Sequence, residues 1–234
     1  IKNLGVSKQT SGGSAANTIA GLAQLGVETA YIGKVKNDEL GKVFVSELEK
    51  IGSFYNTPLA GKDSEHETGR CVVMITPDGE RSMNTYLGAT EFLSPNDIDR
   101  TLVGDTDYIY LEGYRFDGPA SVKAFEKAVD IAKAGEASVA LTLSDPFCVA
   151  RHSQSFSNLI DSSVDILFCN EEELKMLHGS SDLVQAISQI SEKVKILVCT
   201  VAERGAYVSF GGKTELITTK ETKLVDSTGA GDLF

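Results

Sequence analysis

The sequence predicts an α/β fold: a three-layer α/β/α sandwich around a mostly parallel central sheet, with a small β hairpin as lid or edge. Three observations predict it. Short β-branched runs alternate with longer amphipathic ones along the chain, and strand–helix–strand alternation implies parallel pairing through right-handed crossovers. The apolar runs are near-continuous, which suits strands covered by helices on both faces. Only two turn-rich segments break the alternation, and both read as hairpins.

In chain order, a Ser11-Gly12-Gly13 turn opens a helix over 14–25, followed by a strand at 28–33 (ETAYIG) and a helix over 38–51. The first hairpin spans 70–76, a Pro77-Asp78-Gly79-Glu80 turn and 81–86. Ser94 reads as an N-cap and Pro95 as the first helical position of a short helix reaching about 103. A strand at 107–112 leads to a helix over 119–134, whose Val122, Phe125, Ala128, Val129 and Ala132 share one face. Strands follow at 137–143, 164–169 and 195–200, with helices over 170–178 and 181–193, and the second hairpin joins 206–210 to 214–219 through Gly211-Gly212. The Ser144-Asp145-Pro146-Phe147 segment is either an ordinary strand–loop junction or a ligand loop at a strand's carboxyl end. No repeat or linker marks a boundary, so residues 1–234 are read as one domain, with 67–88 as its lid or edge hairpin. The chain opens without Met and closes at Gly231-Asp232-Leu233-Phe234, where a helix has only begun, so truncation at both ends is expected.

Composition narrows the function classes. A net charge of −11 argues against nucleic acid and anionic membranes as partners, since both would repel the chain. ATP survives that argument, because a nest of backbone N–H groups holds phosphate on an acidic protein. No run of eighteen apolar residues predicts a transmembrane helix, and the start lacks the pattern of a signal peptide. Cys71, Cys148, Cys169 and Cys199 are widely spaced without a CxxC pair, so they are expected to be buried thiols of a cytoplasmic protein. His66, His152 and His178 form no ligand cluster with them.

Four segments could carry chemistry. In Asp226-Ser227-Thr228-Gly229-Ala230-Gly231-Asp232, small residues at 229–231 let the backbone approach an anion, and successive N–H groups would face it. Asp232 beside them could take a proton from an attacking hydroxyl. The plain alternative is a helix start with turn glycines and a dipole-matched aspartate. Ser11-Gly12-Gly13-Ser14-Ala15-Ala16-Asn17 starts a helix with a polar first turn, and the Asn17 amide can both donate and accept hydrogen bonds, as a diol requires. Asn170-Glu171-Glu172-Glu173 places Asn170 and Glu173 on one side of a first turn, in the spacing of a capping arrangement. Thr200-Val201-Ala202-Glu203-Arg204-Gly205 follows a strand end.

Together these segments resemble the PfkB family of ribokinase-like carbohydrate and nucleoside kinases. The D-x-T-G-A-G-D signature is met at every fixed position by residues 226–232. The resemblance spans residues 11 to 232 in the family's order and implies an ATP-dependent phosphotransferase acting on a sugar or nucleoside hydroxyl. It implies Asp232 as general base, Gly229, Ala230 and Gly231 as anion hole, and Gly12, Gly13 and Asn17 against the acceptor. Asn170, Thr200 and Gly205 would lie on the nucleotide side, with Glu173 reaching Mg²⁺ through water. Asp226 and Thr228 match positions that hold a monovalent cation such as K⁺ in some members. The family often has glycine two residues after the threonine, where this chain has Ala202. The GGSAANT wording and Asn84-Thr85-Tyr86-Leu87-Gly88-Ala89 look closer to adenosine-kinase-like members than to ribokinases. A homodimer is among the expectations. The rival from another class is a ribokinase-fold sugar-binding or regulatory protein without turnover, which the retained Asp232 disfavours. A dinucleotide-dependent oxidoreductase fails for lack of a G-x-G-x-x-G turn.

Overall fold

The structure is a computed structural model that describes residues 9–75, 81–118, 120–220 and 229–234. Described residues up to Thr90, with Gly229–Phe234, cluster as one compact unit, and those from Glu91 to Lys220 as another.

The first unit holds helices α1 (Ser14–Gln24) and α2 (Glu39–Lys50) and a two-stranded antiparallel sheet of β1 (Arg70–Ile75) and β2 (Arg81–Tyr86). Gly13 precedes α1 at φ 116°, a left-handed conformation that the Ala-rich helix cannot adopt. Asp38 caps α2 by accepting from Gly41 N–H at 2.8 Å, and it also accepts from Thr68 N–H and Oγ1. Residues 28–33 do not form the expected strand. They make one isolated parallel bridge, Ala30 to Phe54. Side chains take the carbonyls that a ladder would need: the Tyr55 hydroxyl donates to Gly33 O at 2.8 Å, and Thr90 Oγ1 to Lys34 O. Tyr31 instead packs edge-on against Phe44 of α2, ring centroids 5.5 Å apart.

The second unit is built on a six-stranded sheet in the order β3 (Tyr108–Glu112), β4 (Ser138–Thr142), β5 (Ile166–Asn170), β6 (Ile196–Thr200), β7 (Ala206–Phe210) and β8 (Lys213–Ile217). The first four strands run parallel and the β7–β8 hairpin pairs antiparallel at the edge. Leu141, Leu167 and Leu197 are fully buried at matching depth in adjacent strands. The second hairpin is therefore the sheet edge, whereas the first is a sheet of its own; its Pro77–Glu80 turn lies outside the described residues.

The helix expected from Ser94 to about 103 is broken. A 3₁₀ turn, Pro95–Asp97, is closed by a Ser94–Asp97 capping box, and α3 (Arg100–Gly104) restarts behind the Asp99 cap, with Ile98 extended between them. Helix α4 (Ser121–Ala134) buries Phe125, Ala128, Val129 and Ala132 as its period predicts, leaves Val122 half-buried, and buries Ala124 and Ile131 as well. The largest difference from the sequence reading is α5 (Pro146–Ser162), read there only as a turn. Asp145 caps it by accepting from Cys148 N–H at 2.7 Å, and Pro146 sits in its first turn. Its apolar anchors Cys148, Val149, Phe156 and Ile160 are spaced around a non-helical kink at His152, which blurs the period. Helices α6 (Glu171–His178) and α7 (Leu183–Ser191) follow as expected. Cys148, Cys169 and Cys199 are buried, but Cys71 is exposed, because β1 has solvent on most of its surface.

Asp165 ties the parallel strands together at their amino ends. Its nearly buried carboxylate accepts from Val139 N–H at 2.8 Å and pairs with Lys133 at 2.6 Å and Lys195 at 2.9 Å. Burial pushes its pKa up, but the Lys133, Val139 and Lys195 bonds outweigh it and hold the group below the usual carboxylate range. A depressed folded-state pKa contributes stability that is present above the unfolded value and lost as pH falls through the folded one. Asp165→Ala is expected to cost about 1–3 kcal/mol at neutral pH, since it orphans a buried N–H. Thermal melts from pH 7 down to pH 3 check this: the gap to the unsubstituted protein should narrow as the carboxylate protonates.

Candidate active site

In the first unit, residues 229–233 form a turn closed by Leu233 N–H donating to Gly229 O at 3.0 Å. Gly229 stands at φ 74°, a left-handed conformation that favours glycine. Asp232 points at α1, where the Asn17 side-chain amide donates to its Oδ2 at 2.7 Å. The candidate acceptor residue and the candidate base, 215 positions apart, are thus in direct contact. Thr18, which sequence reasoning passed over, donates from Oγ1 to the Asp232 main-chain oxygen at 2.7 Å. The Ser11-Gly12-Gly13 approach to α1 is anchored separately: Ser11 N–H donates to Glu47 Oε2 at 2.9 Å. No side-chain hydrogen bond caps α1. Asp226 and Thr228 lie outside the described residues.

In the second unit, the parallel register sets the remaining candidates along the carboxyl edge of the sheet. Asn170 at the end of β5 is the direct partner of Thr200 at the end of β6. Asn170 caps α6, its Oδ1 accepting from Glu173 N–H at 2.9 Å, while Glu173 Oε2 accepts from Asn170 N–H at 2.9 Å and Oε1 from Asn170 Nδ2 at 2.6 Å. The capping box is therefore present. Both Glu173 carboxylate oxygens are thus engaged by Asn170, in a residue only 4% exposed. Burial, with Asp145, Glu112 and Glu172 nearby, pushes its pKa up to about 7, against the pull of the Asn170 N–H.

Glu112 was not foreseen as a member of this group, and Asp145 was marked only as part of the Ser144–Phe147 segment; the strand ends bring the two together. Ser144, at φ 72°, donates from Oγ to Glu112 and accepts from Tyr114 N–H at 3.1 Å. Burial, then the Asp145 carboxylate, then Glu112 and Glu173 push the Tyr114 hydroxyl well above its ordinary pKa. The Ser144–Phe147 segment is a strand–helix junction on the carboxyl edge, with Asp145 as the cap of α5. Among the described residues no three His, Cys, Asp or Glu side chains are grouped to ligate a metal directly. Hard oxygens set at longer range suit Mg²⁺, which keeps several of its waters.

The Thr200 turn is shaped by its glycine. An added Cβ at Gly205, itself at φ 111°, would stand 1.9 Å from Ile217 O. The close pass of β8 demands that glycine whatever else it does. Ala202 occupies a left-handed φ of 52°, where a non-glycine residue costs roughly 1–2 kcal/mol. Thr200 Oγ1 reaches only Cys169 O, at 3.5 Å.

With this geometry in hand, comparison with known proteins is informative. A profile described as pfkB family carbohydrate kinase matches residues 5–234. The chain is 27% identical over 229 residues to a fructokinase of Vibrio alginolyticus, covering 95% of this chain and 73% of the relative. Among solved structures, the adenosine kinase from Sinorhizobium meliloti is 38% identical with a TM-score of 0.93, over 99% of this chain and 71% of that one. A probable sugar kinase from Rhizobium etli CFN 42 is also 38% identical, with a TM-score of 0.92 over 99% and 70%.

The left-handed alanine gives a direct test of the turn. Ala202→Gly should raise stability by up to about 1 kcal/mol, the relief of the strained φ partly offset by glycine's greater entropy in the unfolded chain. Urea unfolding of the two proteins measures the difference, and a loss of stability would mean that Ala202 is not left-handed in solution.

Proposed function

The chain belongs to the pfkB family of carbohydrate kinases, and from that membership we propose an ATP-dependent phosphotransferase that phosphorylates a hydroxyl of a sugar or nucleoside. The observation that carries the reading is the Asn17–Asp232 contact. It joins the glycine-pair segment to the signature aspartate at hydrogen-bonding distance. In this reading Asn17 Nδ2 holds one oxygen of the Asp232 carboxylate and leaves the other to take the proton of the acceptor hydroxyl as that oxygen attacks phosphorus. The amides of Gly229, Ala230 and Gly231 stabilise the transferring phosphoryl group, with the ADP oxygen leaving in line. Gly12 and Gly13 let the acceptor come close to the backbone.

Asn170, Thr200 and Gly205 would serve the nucleotide side, and Glu173 would hold Mg²⁺ through a water, with Glu112 and Asp145 adding to the local negative field. When bound, Mg²⁺ neutralises charge on the phosphates. A monovalent cation such as K⁺ at Asp226 and Thr228 rests on the motif alone. Residues 1–234 act as one ribokinase-like kinase domain in this proposal, with 67–88 as a lid; the exposure of Val73, Ile75 and Met83 on the β1–β2 sheet supports a covering role. The setting is cytoplasmic, and no helix of the described residues is long and apolar enough to cross a membrane. A non-catalytic sugar-binding protein would have no need of Asp232 as a base.

Asp232→Asn in the full-length protein is expected to lower kcat about 10²–10⁴-fold while ATP affinity, measured by titration calorimetry, changes little. Chelating divalent metal should stop the unsubstituted enzyme and added Mg²⁺ restore it. Near-normal turnover of the Asn variant would remove Asp232 from the role of base.

The acceptor is proposed to be a nucleoside such as adenosine. The support is the GGSAANT and NTYLGA wording, the 38% identity to a protein named adenosine kinase, and exposed aromatic surface. Phe147 is 76% exposed and Tyr86 is 39% exposed beneath the Arg70 guanidinium. A stacked base gains roughly 1–3 kcal/mol, which a bare sugar cannot collect. Comparing kcat/KM for adenosine, ribose and fructose decides it; a tenfold advantage for either free sugar would defeat the nucleoside assignment and leave the kinase assignment standing.

A further inference from the structure

We propose that Thr18 is the positioning residue of Asp232, the central member of a seat on α1 that fixes the main chain of the signature turn; the catalytic half of this inference rests on the kinase reading above. Residues 14, 17, 18 and 21 lie along one stripe of α1, and the turn meets that stripe at separate points. Asn17 holds the Asp232 carboxylate. Thr18 Oγ1 holds the carbonyl of the same residue at 2.7 Å. Leu233 lies against Gly21, where an added Cβ would stand 2.8 Å from Leu233 Cδ2.

The Thr18 contact is not incidental to the helix. A threonine hydroxyl in a helix ordinarily turns back to the carbonyl four residues earlier. Here Ser14 O is 3.2 Å away and Asp232 O is nearer, at 2.7 Å, so the hydroxyl is shared outward. A side-chain contact alone leaves the backbone of Asp232 able to shift and the carboxylate to follow it. Holding the carbonyl as well removes that freedom, and a displacement of about 1 Å at a reacting group costs on the order of 10²-fold in rate.

The test uses Thr18→Val, which keeps shape and removes the donor, and Thr18→Ser, which keeps the donor. Two measurements are made on the full-length protein. Hydrogen exchange of the peptide covering 229–234 should be faster in Thr18→Val than in the unsubstituted protein, and near normal in Thr18→Ser. Steady-state kinetics should show kcat falling roughly tenfold to a hundredfold in Thr18→Val with both KM values nearly unchanged, and Thr18→Ser close to the unsubstituted enzyme. Should Thr18→Val not fold, Thr18→Ala is read in the same way. Unchanged exchange in the donor-less variant overturns the seat. Altered exchange with unchanged kcat overturns the positioning role, as does a Thr18→Ser variant as impaired as Thr18→Val. If the unsubstituted protein turns over no acceptor, the kinase reading and with it the positioning role fall, and the exchange measurement alone still decides whether Thr18 holds the turn.

Discussion

The parallel ladder of β3 to β6 is the constraint on which the rest of the larger unit depends. Leu141, Leu167 and Leu197 are fully buried on one face, and a slip of one residue would carry all three to the opposite face, where Ala140, Phe168 and Val198 now pack. The register is therefore fixed by packing, and everything chemically distinctive at the carboxyl edge inherits its position from it. Glu112 ends β3, Ser144 and Asp145 follow β4, and Asn170 ends β5 opposite Thr200 of β6. Parallel strands deliver their ends to one side, and that is why a group spread over some ninety positions of sequence becomes a local cluster.

Backbone strain occurs at both edges of the sheet: among the described residues, Ser144 and Ala202 are non-glycine residues in left-handed backbone just past strand ends, and Glu136 is one just before β4. Glu173 is a carboxyl in a dry place, with Asp145 and Glu112 raising its pKa rather than lowering it. Contrast Asp165 at the opposite ends of the strands, where burial is answered by two lysines and a backbone N–H. Two buried carboxylates on one sheet thus have opposite shifts, because one is surrounded by cations and the other by anions. A structural carboxylate is neutralised from within; the carboxyl-edge group is left with an excess of negative charge that a hydrated cation would answer. Buried like charge of this kind is what the proposed nucleotide-side role would use.

Much of this was legible in the sequence, and the parts that were not have physical reasons. The continuous apolar runs at 107–112, 137–143, 164–169 and 195–200 announced buried parallel strands, and all four form within a residue or two of their expected bounds. The run at 28–33 looked equally strand-like, but strand formation is a property of pairs, and among the described residues its backbone pairing is a single bridge at Phe54. Helix α5 was hidden because its polar composition and the Asp-Pro-Phe opening resemble a loop, and because the kink at His152 divides its apolar spacing. Of the candidate site, the motifs gave Asn17, Asp232, Asn170, Glu173 and Thr200. They could not give Glu112, Tyr114 or Thr18, whose significance comes from what lies opposite them.

The glycines show how geometry sorts a motif that sequence treats as uniform. Gly205 is demanded by the fold, since any Cβ would strike the backbone of β8's last residue. Gly13 and Gly229 are demanded by their left-handed φ, while the space around them is ample. Gly12 and Gly231 are of a third kind: neither is left-handed, and an added Cβ at either meets nothing within 4 Å. Among the described residues, nothing requires glycine at those two positions. They lie in the segment before α1 and in the signature turn, and in each case a bare Cα leaves room beside the backbone. Under the kinase proposal, that room is where an acceptor hydroxyl and a phosphoryl group would come close to the main chain.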